Sequence, residues 1–273
     1  MLDKYAATWV SHSSISDYIR CPRAYFLNNV YKDPKTGHKI SLMSPALALG
    51  QIVHLVLDDI SSLPVEERLE IPLTDRFEKR WEDIKGIKGG FKDVRTEDEY
   101  KERGEAMLKY VMDSPGPLLN KAVRIAQDLP NYYISEEDEI ILCGQIDWLE
   151  YLPDDSVHII DFKTGKNEED GTSLQLPIYL LLVTHTQKRV VSKASYWYLE
   201  QKKALTEVPL PDIEKAEQGV LKIAKTIKLA RKLGVFECPK NGCFSCEKLE
   251  LIVAGRGTFV GVNDFKQDVY ILE

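Results

Sequence analysis

The sequence predicts an α/β fold, and three features point to it. Two apolar runs, Glu139–Tyr151 (EIILCGQIDWLEY) and Val157–Gly165 (VHIIDFKTG), flank the break Leu152-Pro153-Asp154-Asp155-Ser156. Proline presets φ and aspartate caps the bend with its own side chain, so the pair reads as a β-hairpin. A helical stretch, Thr172–His185, separates this hairpin from a further strand candidate, Val190–Leu199. Helical patterns at 45–60 and 211–233 complete the mixture.

Bulk properties bound the class. The 273 residues fit one large domain with room for an added subdomain, and 44% hydrophobic with 29% charged residues is a globular composition. No uninterrupted apolar run approaches the roughly 20 residues that cross a bilayer. The stretch MLDKYAATWVSHSS lacks the apolar core of a signal peptide. The chain is therefore expected to be cytoplasmic, with no membrane partner. A net charge of −7 argues against coating nucleic acid through bulk charge, while leaving room for a local basic track. Five cysteines without an export signal point to metal, cluster or buried thiols rather than disulfides.

Along the chain, Ser13 or Ser14 is expected to cap a helix carrying Ile15, Tyr18 and Ile19. Cys21-Pro22 interrupts it before the aromatic stretch resumes at Tyr25-Phe26; a buried thiol at a kink is one reading of that cysteine. Pro45–Ile60 is a strongly apolar helix with Gly50 four residues before His54. Glycine costs roughly 1 kcal/mol in a helix relative to alanine, which suggests close packing. On its own, His54 reads as a satisfied core residue. Residues 61–117 are charge-dense, with Trp81, Phe91 and Tyr100 as sparse anchors and a glycine-rich loop at 86–90. They read as a helical insertion closed by Pro115-Gly116-Pro117.

The hairpin carries the chemistry. With its tip at Asp154, Asp147 and Asp161 lie equally far from the turn and face each other, and Lys163 shares the face of Asp161. Directly opposed carboxylates are destabilising unless compensated. A divalent cation such as Mg²⁺ or Mn²⁺ would compensate them; so would an ordinary surface ion pair with the lysine. Beyond a polar loop at 166–171, Gln175 and Tyr179 share a helix face, with Pro177 in the first turn.

The helix at 211–233 combines an apolar stripe (Leu221, Ala224, Ile227 and Ala230 or Leu233) with a basic run that includes Lys222, Lys225 and Lys228. That run reads as a solvated face or as a patch tracking a nucleic-acid backbone. Finally, Cys238, Cys243 and Cys246 fall within nine residues among Pro and Gly, which is metal or iron–sulfur spacing but one ligand short of four. Cys21 is the natural fourth, since Cys143 lies inside a proposed strand. Loop thiols or a zinc knuckle are the alternative.

Taken in order, these segments resemble the RecB-like branch of the PD-(D/E)XK nucleases, in particular the AddB nuclease domain and CRISPR-associated RecB-like exonucleases with an iron–sulfur cluster. The matching residues are Tyr18, Cys21-Pro22 and Tyr25-Phe26, then Gly50 to His54 as G-x-x-x-H. Gly144-Gln145-Ile146-Asp147, Asp161-Phe162-Lys163 as D-x-K, Gln175 to Tyr179 as Q-x-x-x-Y and the late cysteines follow. The resemblance implies a restriction-endonuclease-like core, a mixed central sheet flanked by helices, with a helical N-terminal insertion and a cysteine-bearing C-terminal tail. It implies that His54, Asp147, Asp161 and the Phe162 carbonyl hold Mg²⁺ or Mn²⁺. Lys163 would orient the attacking water, and Gln175 and Tyr179 would shape the site and contact DNA. The implied activity is exonucleolytic hydrolysis of single-stranded DNA or DNA ends, in recombination, repair, phage replication or CRISPR adaptation. An idle DNA-binding or scaffolding subunit is the competing expectation. The implied clasp is a 4Fe-4S cluster on Cys21, Cys238, Cys243 and Cys246. One departure bears on it: the family's third late cysteine lies downstream, whereas here Cys238 lies upstream, which leaves zinc or an empty site open. No G-x-x-x-x-G-K-[ST] loop occurs, so the chain is not itself a motor. The partners expected are DNA and a separate helicase or integrase.

Overall fold

The computed structural model describes residue 4 and residues 6–122, 125 and 129–272; residues 1–3 and 5, part of the stretch read for a leader, lie outside the described residues. Strand β1 (Thr8–Val10) leads into α1 (His12–Arg20). The cap is Ser11, not Ser13 or Ser14. The Ser14 amide donates to Ser11 Oγ at 3.3 Å and the Ser11 amide to Ser14 Oγ at 2.8 Å. Ser14 is thus the reciprocal partner of a capping box. The break falls at Cys21, and Pro22 opens α2 (Pro22–Tyr25), where its missing N–H costs nothing.

After β2 (Lys39–Leu42), Ser44 and Pro45 start α3 (Pro45–Ser61), whose inner face seals Leu49, Ile52, Val53, Val56 and Ile60. Helices α4 (Leu73–Trp81) and α5 (Val94–Asp113) pack on it. The charge-dense stretch is less solvated than its composition suggests. Leu73, Phe77 and Trp81, four residues apart, are fully buried, and Phe91, Met107 and Leu108 close over them. The glycine-rich segment is a 3₁₀ turn, Gly86–Gly89, ended by Gly90 in the left-handed region.

The run at 139–151 is not one strand. After β3 (Asn131–Ser135), it divides into β4 (Ile140–Cys143) and β5 (Trp148–Tyr151), which join different sheets. Strand β4 lies between β1 and β3, while β5 pairs antiparallel with β6 (Val157–Lys163). Gly144, a weak strand former, marks the division. The expected register holds: Trp148 faces Ile160 and Tyr151 faces Val157, symmetric about Asp154.

Helix α6 (Gln175–Thr186) crosses to β7 (Val191–Tyr198), parallel to β6, and β8 (Thr206–Val208) closes the edge. The order β5-β6-β7-β8 makes this sheet mixed. Strand β6 is buried from Val157 to Phe162, as a central strand covered on both faces must be. One face meets α6 and α7 (Ile213–Leu233); the other presents Trp148, Ile160, Phe162 and Trp197 to the α3–α4–α5 layer. Helix α7 buries Val220, Ala224, Ile227 and Ala230, with Leu221 half-buried and Leu233 in solvent.

The C-terminus is more than a tail. Helix α8 (Phe244–Val253) precedes β9 (Thr258–Val262) and β10 (Gln267–Ile271), and β10 lies between β9 and β2. Cys21, Leu27, Ile40, Cys246, Leu249 and Ile252 form the small core beneath. Among the described residues no helix is long and apolar enough to cross a membrane.

Candidate active site

Four elements bring the chemistry together. The pleat of β6 puts Asp161 and Lys163 on one side. The approach to β5 sets Asp147 opposite, where the Phe162 amide donates to its Oδ2 at 2.9 Å. From α3, His54 Nδ1 reaches Asp147 Oδ1 at 3.4 Å. Gly50, one turn earlier, lets the helix approach: a Cβ there would sit 3.0 Å from Thr164 Oγ1, just past Lys163. The first residue of α6, Gln175, bridges the cluster. Its Nε2 donates to Asp161 Oδ1 (2.6 Å) and to Tyr179 Oη (3.1 Å), and its Oε1 accepts from Lys163 Nζ (2.5 Å).

Asp161 is fully buried, and its Oδ2 has no hydrogen-bond partner. Lys163 Nζ lies 3.0 Å from that oxygen, near enough for charge attraction but not aligned to donate. Burial first, and then the Asp147 carboxylate, push the Asp161 carboxyl up to about 7 against the opposing pull of Lys163. Burial disfavours the charged form of His54, yet the adjacent Asp147 outweighs it and the imidazole pKa is raised. Lys163 behaves likewise: burial opposes its charge, and Asp161 and Glu169 restore it, leaving the pKa raised.

This donor set fits a divalent cation. A buried carboxylate oxygen without a hydrogen is expensive unless a proton or a metal meets it. Here a second carboxylate and an imidazole face the same space, with oxygen donors in the majority, as Mg²⁺ and Mn²⁺ prefer. A cavity of about 320 Å³ lined by His54, Asp147, Phe162 and Tyr179 gives access.

Three contributors to the site escaped the sequence reading. Glu169, in the loop taken only as polar, pairs with Lys163 at 2.9 Å. Tyr196 faces Asp161 across β6 and β7, and Lys163 Nζ sits 5.1 Å from its ring centre. His12 of α1 is close enough that Lys163, after burial, lowers its pKa. Only Tyr196 left a signal, since strand register would have placed it. The basic residues of α7 lie elsewhere and none lines the cavity around His54. Lys225 pairs with Asp138 at 2.7 Å, Lys228 bonds the Asp138 carbonyl and approaches Glu139, and Lys222 is exposed.

A Ser–His–Glu row also crosses the sheet: His158 Nδ1 lies 2.9 Å from Glu150 and its Nε2 lies 2.8 Å from Ser195 Oγ. At 1% exposure Ser195 meets no substrate. The row is a buried polar tie between β5, β6 and β7.

In the small core beneath the C-terminal block, the thiols of Cys21, Cys238, Cys243 and Cys246 all lie within 4.8 Å of one another. Cys143 is apart, on β4, its thiol against the Val10 carbonyl. Cys243 caps α8, and the amides of Cys246 and Ser245 hold its thiol down at about 6. Burial pushes Cys246 up to about 12 and raises Cys21. An all-sulfur set of four suits zinc or an iron–sulfur cluster.

A mixed sheet whose strand β6 carries a carboxylate and a lysine, with the second carboxylate of Asp147 beside it, fits a metal-assisted nuclease. Residues 9–249 match the PD-(D/E)XK nuclease superfamily, and the chain belongs to that family. It is 24% identical over 194 residues to a component of the ATP-dependent helicase/deoxyribonuclease of Streptococcus pyogenes serotype M12 (strain MGAS2096), and to the same degree to its counterpart in serotype M28 (strain MGAS6180). The alignment takes in 66% of this chain but only 17% of those relatives' length. A crystal structure from Eubacterium rectale with a provisional exonuclease name superposes with a TM-score of 0.54. It covers 88% of this chain and 87% of its own at 14% identity, a likeness of fold.

Proposed function

We infer that this protein is a metal-dependent deoxyribonuclease acting on single-stranded DNA or DNA ends. The observation that carries this is the convergence of the buried Asp161 carboxylate with Asp147, His54 and Lys163 in one small space. His54, Asp147, Asp161 and the Phe162 carbonyl would hold Mg²⁺ or Mn²⁺. When bound, such an ion lowers the pKa of its water and clamps phosphate oxygens. Lys163, kept charged between two carboxylates, orients the attacking water and meets the negative charge that builds on the phosphate. Gln175 fixes both Asp161 and Lys163, so the rotamers of both are set before substrate arrives. Tyr179 walls the site.

End-labelled DNA should be degraded by the purified protein with Mn²⁺ or Mg²⁺, and not by Asp161→Ala. Equal cleavage by both proteins would remove the reading of this site as the nuclease centre, and binding without cleavage across metals and substrates would favour an idle DNA-binding role. The complete His54, Asp147, Asp161 and Lys163 set speaks against idleness. The helicase/deoxyribonuclease name of the relatives supports work beside a separate motor. An integrase as the partner, a setting in recombination, repair, phage replication or CRISPR adaptation, and the cytoplasm as the compartment are proposed from the sequence resemblance alone. Lys222, Lys225 and Lys228 are the proposed backbone-tracking patch. Replacing all three should weaken DNA binding and flatten its salt dependence, and unchanged affinity would reduce them to a solvated face.

For the four cysteines we favour a 4Fe-4S cluster, as in the nucleases the chain resembles. One distance favours a second reading. Cys243 and Cys246 Sγ are 3.7 Å apart. Tetrahedral zinc with Zn–S near 2.3 Å would space its sulfurs by about 3.8 Å.

A further inference from the structure

The β9–β10 hairpin reaches the active-site cavity. Phe265 at its tip lines the same cavity as His54, Asp147 and Tyr179. It also lines an adjoining groove of about 760 Å³ that runs past Gln51, His54 and Thr164 toward Lys88. Gln51, His54 and Phe265 belong to both, so the two form one continuous surface. Phe265 is 83% exposed. Its perch is nonetheless tightly bonded. Asn263 Oδ1 accepts from the amides of Phe265 (3.1 Å) and Gln267 (3.0 Å), and Asn263 Nδ2 donates to Gln267 Oε1 (2.9 Å). A large aromatic held in water beside catalytic groups is a surface whose natural contact is another flat ring.

We propose that Phe265 stacks on an unpaired base of the substrate strand, next to the phosphate held at the carboxylates, and so makes single-stranded DNA the preferred substrate. This rests on the nuclease reading above. The occupant follows from continuity. With a phosphate at Asp147 and Asp161, the nucleotides bonded to it leave through the groove that opens from the same cavity. Charge does not define that groove, because Lys88 is offset by Asp83 and Asp264 along its walls. Stacking is the grip that remains. It tolerates any sequence, since every base has a π-face, and it requires a base face not already covered by neighbours in a duplex.

Binding without cleavage can be measured with Ca²⁺ in place of Mg²⁺ or Mn²⁺, by anisotropy of a fluorescein-labelled single-stranded oligonucleotide and of a blunt duplex. Phe265→Ala should lose about tenfold in affinity for the single strand, the scale of one lost base–aromatic stack, and keep its duplex affinity. Phe265→Trp should bind the single strand as wild type does. Single abasic sites placed in turn along the oligonucleotide sharpen the test. Wild type should lose affinity at one position, and Phe265→Ala should be indifferent there, the non-additivity of two groups in contact. A Phe265→Ala protein that cuts and binds single strands like wild type would overturn the stacking role while leaving the nuclease intact. Equal abasic sensitivity in both proteins would do the same. Wild type that neither binds nor cuts any DNA would instead remove the nuclease reading itself.

Discussion

Asp161 concentrates the chemistry at the residue scale, and its proton is the readable quantity. Its carboxyl is pushed up to about 7 by burial and by Asp147. Below that pH the group carries a proton that a cation must displace; above it the carboxylate is free. Mn²⁺ affinity should therefore be steady at pH 8 and fall as the pH drops through 7 toward 6, by up to about tenfold per unit. Calorimetry in buffers of different ionisation enthalpy should show more protons released per ion at pH 6, where both Asp161 and His54 must give one up, than at pH 8. Affinity independent of pH over this range would mean that Asp161 is not a ligand. The sequence exposed this residue well, because a symmetric turn about Asp154 sets Asp147 opposite it and strand alternation adds Lys163. Glu169 and Phe265 left no such trace. Each sits in a loop or turn, where no period links sequence position to the direction of a side chain.

At the scale of elements, two glycines show how closely the helices are drawn together. Gly104 of α5 backs onto α3 and α4: a Cβ there would lie 2.3 Å from Phe77 Cζ and 2.8 Å from Leu49 Cδ1. Alanine would gain about 1 kcal/mol of helix propensity. Phe77 is fully buried with nowhere to turn, and overpacking of this kind costs about 1–3 kcal/mol. Gly104→Ala should thus be destabilised by up to about 2 kcal/mol, seen as a lower urea midpoint at unchanged m value. A higher midpoint would show that the layer can shift. Gly50 differs, since its neighbour is a hydroxyl end that can rotate. Elements ruled by local signals, such as α3 with Ser44 and Pro45 at its start, were legible in the sequence. The division of 139–151 was not, because both halves are apolar and only the partner strands distinguish them. Nor was the C-terminal hairpin, whose β10 takes its register from β2, Gln267 against Lys39, far away in the chain.

For the whole molecule, the cysteines bring the N-terminal helix pair against the C-terminal block, and a metal shared among them would tie the two together. Cys21 lies at the α1–α2 break, and Cys238, Cys243 and Cys246 lie at and before α8, so a shared metal closes a loop containing nearly the entire nuclease core. Cross-linking so long a loop restricts the unfolded chain, and the β2–β10–β9 sheet that carries Phe265 sits on the clasped side. Cys243→Ser should cost about 2–5 kcal/mol, the scale of a lost native cross-link, or roughly 5–15 °C in melting temperature. Limited proteolysis of that variant should release the segment from α8 onward before it touches β5, β6 and β7. The same protein decides between the two occupants. Anaerobically purified wild type that is brown, with the colour lost in Cys243→Ser, carries iron and sulfide. Colourless wild type with one zinc per chain and the same loss of stability would keep the clasp and replace the cluster. An unchanged melting temperature and an intact C-terminal block in Cys243→Ser would dismiss the clasp altogether. The four thiols would then be a convergence without a structural role.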